Sequence, residues 1–153
     1  MKYQNDLFGE MSEGKQAFVI LKLLLDFSDK KCPILIDQPE DSLDNRAIFQ
    51  ELVEYIKSKK KERQIILVTH NSNVVVSADS ENVIVANQNG TNSKNDAGCK
   101  FQYVSGALEM TKDKDESEEI ILKSQGIREH VCEILEGGRA AFEKRERKYG
   151  FKS

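Results

Sequence analysis

Two short, uninterrupted apolar runs, each closing on a polar residue, constrain this chain more than any other feature. Pro33-Ile34-Leu35-Ile36 ends at Asp37, and Ile65-Ile66-Leu67-Val68 ends in Thr69-His70-Asn71. Apolar runs without alternation are the pattern of parallel strands buried on both faces. Between them Phe49, Leu52, Val53 and Ile56 stand at i, i+3, i+4, i+7, which predicts a helix from about Asn45 with Asp44 or Asn45 as its N-cap. Strand, helix, strand in that order predicts a right-handed crossover in a parallel sheet. A third run, Val83-Ile84-Val85-Ala86, follows a helix-like segment around residues 74–78 and extends the expected sheet. The fold class is therefore α/β, a mostly parallel sheet with flanking helices.

The flanks of this core read less sharply. From Gly14 to Phe27 apolar residues surround nearly the whole helical circumference, which predicts a central helix buried on most sides. Asn89-Gly90 opens a polar loop, after which Phe101-Gln102-Tyr103-Val104 returns as an edge or hairpin strand. The acidic run from Asp113 to Glu119 reads as a solvated linker or the start of a helix. Beyond it, Ile127, Val131, Ile134 and Leu135 form the stripe of a C-terminal amphipathic helix stopped at Gly137-Gly138, with His130 at its edge. Residues 1–112 are expected to form one lobe and residues 113–153 an acidic linker and helices packed on it.

Composition excludes several classes. The 153 residues carry 23 Lys and Arg against 26 Asp and Glu, a formal net charge of -3, so no global charge marks a nucleic-acid or membrane binder. Cys32, Cys99 and Cys132 are far apart and odd in number, against a disulfide framework or a zinc knuckle. Cys32, beside Pro33, is expected to be buried. The longest apolar run, Ala17 to Leu25, is interrupted by Lys22 and too short to span a bilayer, and no signal peptide opens the chain. These features predict a soluble cytoplasmic protein with no membrane partner.

Candidate chemistry sits at the strand ends. Open parallel sheets bind ligands beyond the carboxyl ends of their strands, where Asp37 and His70 stand. A carboxylate there can hold Mg²⁺ beside nucleotide phosphates, because Mg²⁺ takes oxygen ligands and keeps several waters. Three hydrophobic residues followed by Asp is the Walker B pattern. Gly9 to Lys15 also has the frame G-x-x-x-x-G-K of a phosphate-binding Walker A loop. We reject it: Gln16 replaces the Mg²⁺-binding Ser or Thr, Glu10 and Glu13 would repel phosphate, and Lys2 to Phe8 makes a poor core strand.

Taken in order, the motifs resemble the C-terminal half of an ABC-type ATPase, a P-loop NTPase. Met11-Ser12-Glu13-Gly14-Lys15 resembles the signature sequence, residues 34–44 resemble a Walker B strand running into a D-loop, and residues 67–71 resemble the switch-histidine loop. The resemblance implies ATP and Mg²⁺ as cofactors and a head-to-head dimer. In it Ser12, Gly14 and Lys15 face the opposite subunit's nucleotide, Asp37 binds Mg²⁺, His70 senses the γ-phosphate and Asp44 links the two sites. Anion binding at a helix N-terminus is physically reasonable, since the dipole and free N–H groups favour it. Most such ATPases carry Glu directly after the Walker B Asp. Here that position is Gln38, and Glu40 is the next carboxylate, so either residue is a candidate for handling the attacking water.

The stretch from Asp37 to Asp41, with the ending His130 to Arg139, resembles the C-terminal part of TrlF-like proteins, in which a PHP-type phosphoesterase domain is joined to an SMC-like ATPase. That resemblance implies nucleic-acid processing or defence in a bacterial cytoplasm. With the Walker A frame rejected, the expected partner is a Walker A-containing lobe or a full-length ATPase, with nucleic acid in the intact assembly. A second expectation is a nonenzymatic lobe serving as an interaction or dimerisation module.

Overall fold

The computed structural model describes residues 2–3, 5–27, 31–43 and 46–134. The chain divides into two compact units, Met1–His70 and Asn71–Ser153. The first opens with a minimal antiparallel ribbon of β1 (Lys2–Tyr3) and β2 (Asp6–Leu7), followed by α1 (Glu13–Asp26). Next come β3 (Ile34–Asp37), a 3-10 turn (Pro39–Ser42), α2 (Arg46–Lys59) and β4 (Ile65–Val68). β3 and β4 pair parallel, with Ile34 against Ile65 and Asp37 against Val68, so the strand–helix–strand unit is as expected.

The core of this unit is built by the predicted stripe. Leu52, Val53 and Ile56 of α2 are buried, together with Met11, Phe18, Val19 and Leu25 from α1 and its approach, and Ile36 of β3. Phe18 sits edge-on between Tyr3 and Tyr55, both ring centroids 6.3 Å away. The Tyr55 hydroxyl donates to Asp26 Oδ1 at 2.7 Å and the Tyr3 hydroxyl donates to Glu51 Oε2 at 2.9 Å. Burial and then the Glu51 carboxylate push the Tyr3 phenol up to about 12. α1 is not buried all round: Ile20 and Leu24 are exposed, as is Phe27 beyond its end. The apolar circumference exceeds what α2 and the Pro39–Ser42 turn cover.

The second unit holds α3 (Ser72–Ser77), β5 (Val83–Gln88), β6 (Phe101–Gly106) and α4 (Ile127–Ile134). β5 pairs antiparallel with β6, Val83 against Gly106 and Gln88 against Phe101. The hairpin strand is as expected, but the mostly parallel sheet is corrected: of the three strand pairs among the described residues, only β3–β4 is parallel. An apolar run signals burial without fixing direction, and here loop closure chooses the partner. Asn95, buried in that loop, donates from Nδ2 to the carbonyls of Asn87 at 3.2 Å and Cys99 at 2.9 Å, and accepts from Asn87 Nδ2 at 2.7 Å.

Val76, Val83, Ile127, Val131 and Cys132 form this unit's core, bordered by Val85, Val104 and Leu108. His130 is buried with them, not at the helix edge, and its Nδ1 lies 3.1 Å from Gln125 Nε2. Gln125 also donates to Glu133, whose other oxygen pairs with Lys114 at 2.8 Å. Cys32 is exposed, which corrects the expectation that it is buried. The glycine pair at 137–138, Leu135 and the tail lie outside the described residues.

Burial holds the His130 imidazole below its ordinary pKa of 6.5, and the Lys114 and Gln125 contacts hold Glu133 below the carboxylate range although desolvation opposes them. Both shifts have the same sign of linkage. The unfolded chain binds protons more readily, so stability is lost as the pH falls, below about pH 6.5 for His130 and only below about pH 4.5 for Glu133. Urea midpoints measured from pH 7.5 to 4.5 should decrease, and His130→Gln should flatten the upper part of that decrease.

Candidate functional site

The parallel register places the carboxyl ends of β3 and β4 side by side, because Asp37 faces Val68 and the Gln38 amide continues the ladder by donating to the Val68 carbonyl at 2.8 Å. The chain must then leave the sheet sharply. Gln38 does so in the left-handed region, φ 42° and ψ 54°, directly before Pro39. A non-glycine residue held there costs roughly 1–3 kcal/mol, a strain that clusters at functional sites. The Asp41 amide donates to the Gln38 carbonyl at 3.2 Å and the Leu43 amide to the Glu40 carbonyl at 3.0 Å, fixing the turn.

This turn and the end of β4 bring three of the expected residues together. Gln38 Nε2 lies 3.2 Å from His70 Nδ1. If the amide donates, the ring proton sits on Nε2, which faces Asp41 Oδ1 at 3.7 Å. His70 Nδ1 is 3.8 Å from Glu40 Oε1. The Glu40 side chain is only 6% exposed, while His70 and Asp41 are 65% and 54% exposed. Thr69 Oγ1 donates to Glu40 Oε1, and Glu40 Oε2 is buried with no hydrogen-bond partner among the described residues. Asp37 is exposed at the end of β3, and an exposed carboxylate at a strand end suits Mg²⁺, which keeps much of its water.

The remaining candidates belong to the start of α1. Ser12 is its N-cap, with Oγ accepting from the Lys15 amide at 3.3 Å. Gly14 is buried in the first turn, and Lys15 Nζ pairs with Asp6 Oδ2 at 2.7 Å. The second glycine of the G-x-x-x-x-G-K frame is therefore helical. α1 packs against the Pro39–Ser42 turn within the same unit. Asp44 lies outside the described residues. Thr69 and Asp41 were not singled out by sequence reasoning. Thr69 is the residue between an apolar strand and His70, where a polar side chain at a strand end was the available signal.

No family model matches this chain, and no curated protein matches it. Among solved structures it is similar to an SMC ATPase, from work on ATP-driven dimerization and DNA-stimulated activation, with 25% identity and a TM-score of 0.50. The likeness covers 67% of this chain and 58% of that one, so the chain spans a little over half the length of its structural neighbour. It supports an SMC/ABC-type ATPase fragment with a P-loop NTPase-like fold. Among the described residues, no helix is long and apolar enough to cross a membrane.

Ser12 has a structural role of its own. Removing an N-cap hydroxyl costs about 1 kcal/mol. Ser12→Ala should lower the unfolding free energy of the chain by about that amount in urea, and Ser12→Asp, which keeps an acceptor beside the helix dipole, should restore it.

Proposed function

We propose that this chain is the C-terminal half of an ABC/SMC-type ATP-binding and hydrolysing domain, active when a Walker A-containing lobe completes it. The observation that carries the reading is the in-register parallel pair whose ends bring Gln38 and Glu40 to His70, in a fold similar to an SMC ATPase. Residues 1–112 form the lobe proper and residues 113–153 its C-terminal appendage. Asp37 holds Mg²⁺, the cofactor ion of the bound ATP, which neutralises phosphate charge. Ser12, Gly14 and Lys15 present the N-terminus of α1 to a nucleotide on the opposite subunit, and Asp44 links the two sites.

The division of labour around the attacking water follows from the contacts. The Gln38 amide is engaged with His70, which suits it to setting the orientation of the γ-phosphate sensor. Glu40 offers a carboxylate oxygen without a partner, sheltered from water, and is the better candidate for accepting a proton. Thr69 holds the other oxygen and so orients the group.

Exposed apolar surface supports the need for a completing partner. Parallel strands are normally covered on both faces, yet Leu35 of β3 is 67% exposed and Ile66 and Val68 beside it on β4 are exposed too. Further strands and helices of a Walker A lobe, or a full-length ATPase, would cover this face, and a second copy would place the two nucleotide sites together. The resemblance to TrlF-like proteins supports a role for the completed assembly in nucleic-acid processing or defence in a bacterial cytoplasm.

Two experiments test the reading. Most phosphate contacts in P-loop ATPases come from the Walker A loop and its Lys, so calorimetry should find only weak Mg·ATP binding to this chain alone. Submicromolar binding that is lost in Lys15→Ala would instead make Gly9 to Lys15 a phosphate loop. Joined to a Walker A lobe, Glu40→Gln should lower turnover by at least about tenfold, while Gln38→Glu should preserve or raise it. Full activity in Glu40→Gln together with none in Gln38→Ala would transfer the water to Gln38.

A further inference from the structure

We propose that His130, Gln125, Glu133 and Lys114 form a proton-operated latch, which ties the acidic run Asp113–Glu119 to α4 while the His130 ring is neutral and releases it when the ring gains a proton. The contacts run in a line from the interior of the second unit to its surface. His130 and Gln125 are buried, whereas the side chains of Lys114 and Glu133 are 42% and 45% exposed. Gln125 Nε2 lies 3.1 Å from His130 Nδ1 and 2.7 Å from Glu133 Oε2, and Glu133 Oε1 pairs with Lys114 Nζ at 2.8 Å.

The donors and acceptors of these groups allow one proton arrangement. An ionised carboxylate only accepts, so the Gln125 atom facing Glu133 is the amide nitrogen, and its second N–H is the one offered to His130 Nδ1. Nδ1 is therefore an acceptor, and the neutral ring carries its proton on Nε2. A further proton has to go to Nδ1, where it meets the Gln125 N–H. Turning the amide over gives the ring an oxygen but sets that same oxygen against Glu133. The conflict ends when Glu133, three residues along the same helix, leaves Gln125 and Lys114 and turns to the imidazolium.

The charges around the ring single out Glu133 for this move. Burial disfavours a charged ring, while Glu133, the Leu122 backbone and Glu129 favour it and Lys114 opposes it. Glu129 is engaged with the Lys112 amide at 3.1 Å. Lys112 Nζ donates to the Lys123 carbonyl, and Lys123 of the 3-10 turn Ile121–Lys123 pairs with Asp96. α3, β5 and β6, which pack on α4, carry no Asp, Glu, Lys or Arg.

Release is local. Lys114 belongs to the acidic run, so the run loses a tie to α4 when Glu133 turns away. The Gly126 amide to the Lys112 carbonyl at 3.0 Å and the Arg128 amide to the Met110 carbonyl at 3.2 Å do not involve Glu133 and hold the start of α4 in both states. Opening of this kind is sub-global, below the free energy of unfolding the unit.

The test is amide hydrogen exchange of the full chain at pH 7.5 and pH 5.0, corrected for intrinsic rates; at the lower pH Glu133, held below the carboxylate range, is still charged. The Asp115 and Glu118 amides, bonded to the Ser124 and Asp115 carbonyls, should lose protection about tenfold in acid, the factor that one pH unit gives while the open form binds a proton that the closed form does not. The Gly126, Arg128 and β5–β6 amides should change by less than about twofold. His130→Gln should abolish the acid effect, and Lys114→Gln, a surface change that spares the core, should open the run already at pH 7.5. Should His130→Gln not fold, the ring decides: the chain has two histidines, and the ¹⁵N titration of His130 should share its midpoint with the loss of protection. Unchanged Asp115 and Glu118 protection, equal loss across the hairpin, an acid effect that survives His130→Gln, protection kept in Lys114→Gln at pH 7.5, unmatched midpoints or a proton on Nδ1 at pH 7.5 would each overturn the latch. None of these outcomes bears on ATP binding, so the two readings fail separately.

Discussion

The in-register parallel pairing of β3 with β4 is the constraint on which the candidate site depends. A parallel pair points both strands the same way, so both chains leave the sheet at one edge, and equal strand ends set Asp37 level with Val68. Residues that follow the two strands by one to three positions then meet. Gln38 and Glu40 on one side and Thr69 and His70 on the other do so across 32 and 29 residues of sequence. A slip of one position would send each side chain to the opposite face and dissolve the cluster.

The turn after β3 shows how the local chain serves that meeting. Pro39 forces the preceding residue out of the α region, and Gln38 takes the left-handed conformation. That swings Pro39–Ser42 back across the strand end, carrying the Glu40 side chain into a sheltered position under Thr69 and leaving Asp41 outside. Two adjacent acidic residues thus have opposite environments, one buried and one exposed. The environment of each differs accordingly: burial penalises a bare charge on Glu40, whereas the exposed Asp41 carboxylate stays solvated.

Much of this was legible in the residues. The helix α2 and its buried stripe, both strands of the parallel pair and the hairpin strand β6 follow from apolar spacing, since a helix or strand that buries one face must repeat its apolar residues at that element's period. The meeting of Gln38 and Glu40 with His70 was anticipated only as a coincidence of strand ends. The partner of Glu40 was not, because a hydroxyl at a strand end carries no signature of what it will touch. The expected all-round burial of α1 failed at Ile20 and Leu24, and the burial of Cys32 failed as well. Apolar character records what a residue tolerates and does not itself supply a covering surface.

The sequence by itself determined which segments are strands and helices, and that polar residues close the two apolar strands, because these follow from local periodicity and chain stiffness. Tertiary structure alone decided direction and company. β5 turned antiparallel to β6 because a loop organised by Asn95 closes over a short distance, and an apolar run is indifferent to the direction of its neighbour. His130 is buried with Gln125 beside it, where a pattern of spacing placed it at an edge. Which oxygen of Glu40 is held and which is left without a partner was likewise settled only by packing, since burial and hydrogen-bond geometry are properties of contacts between distant segments.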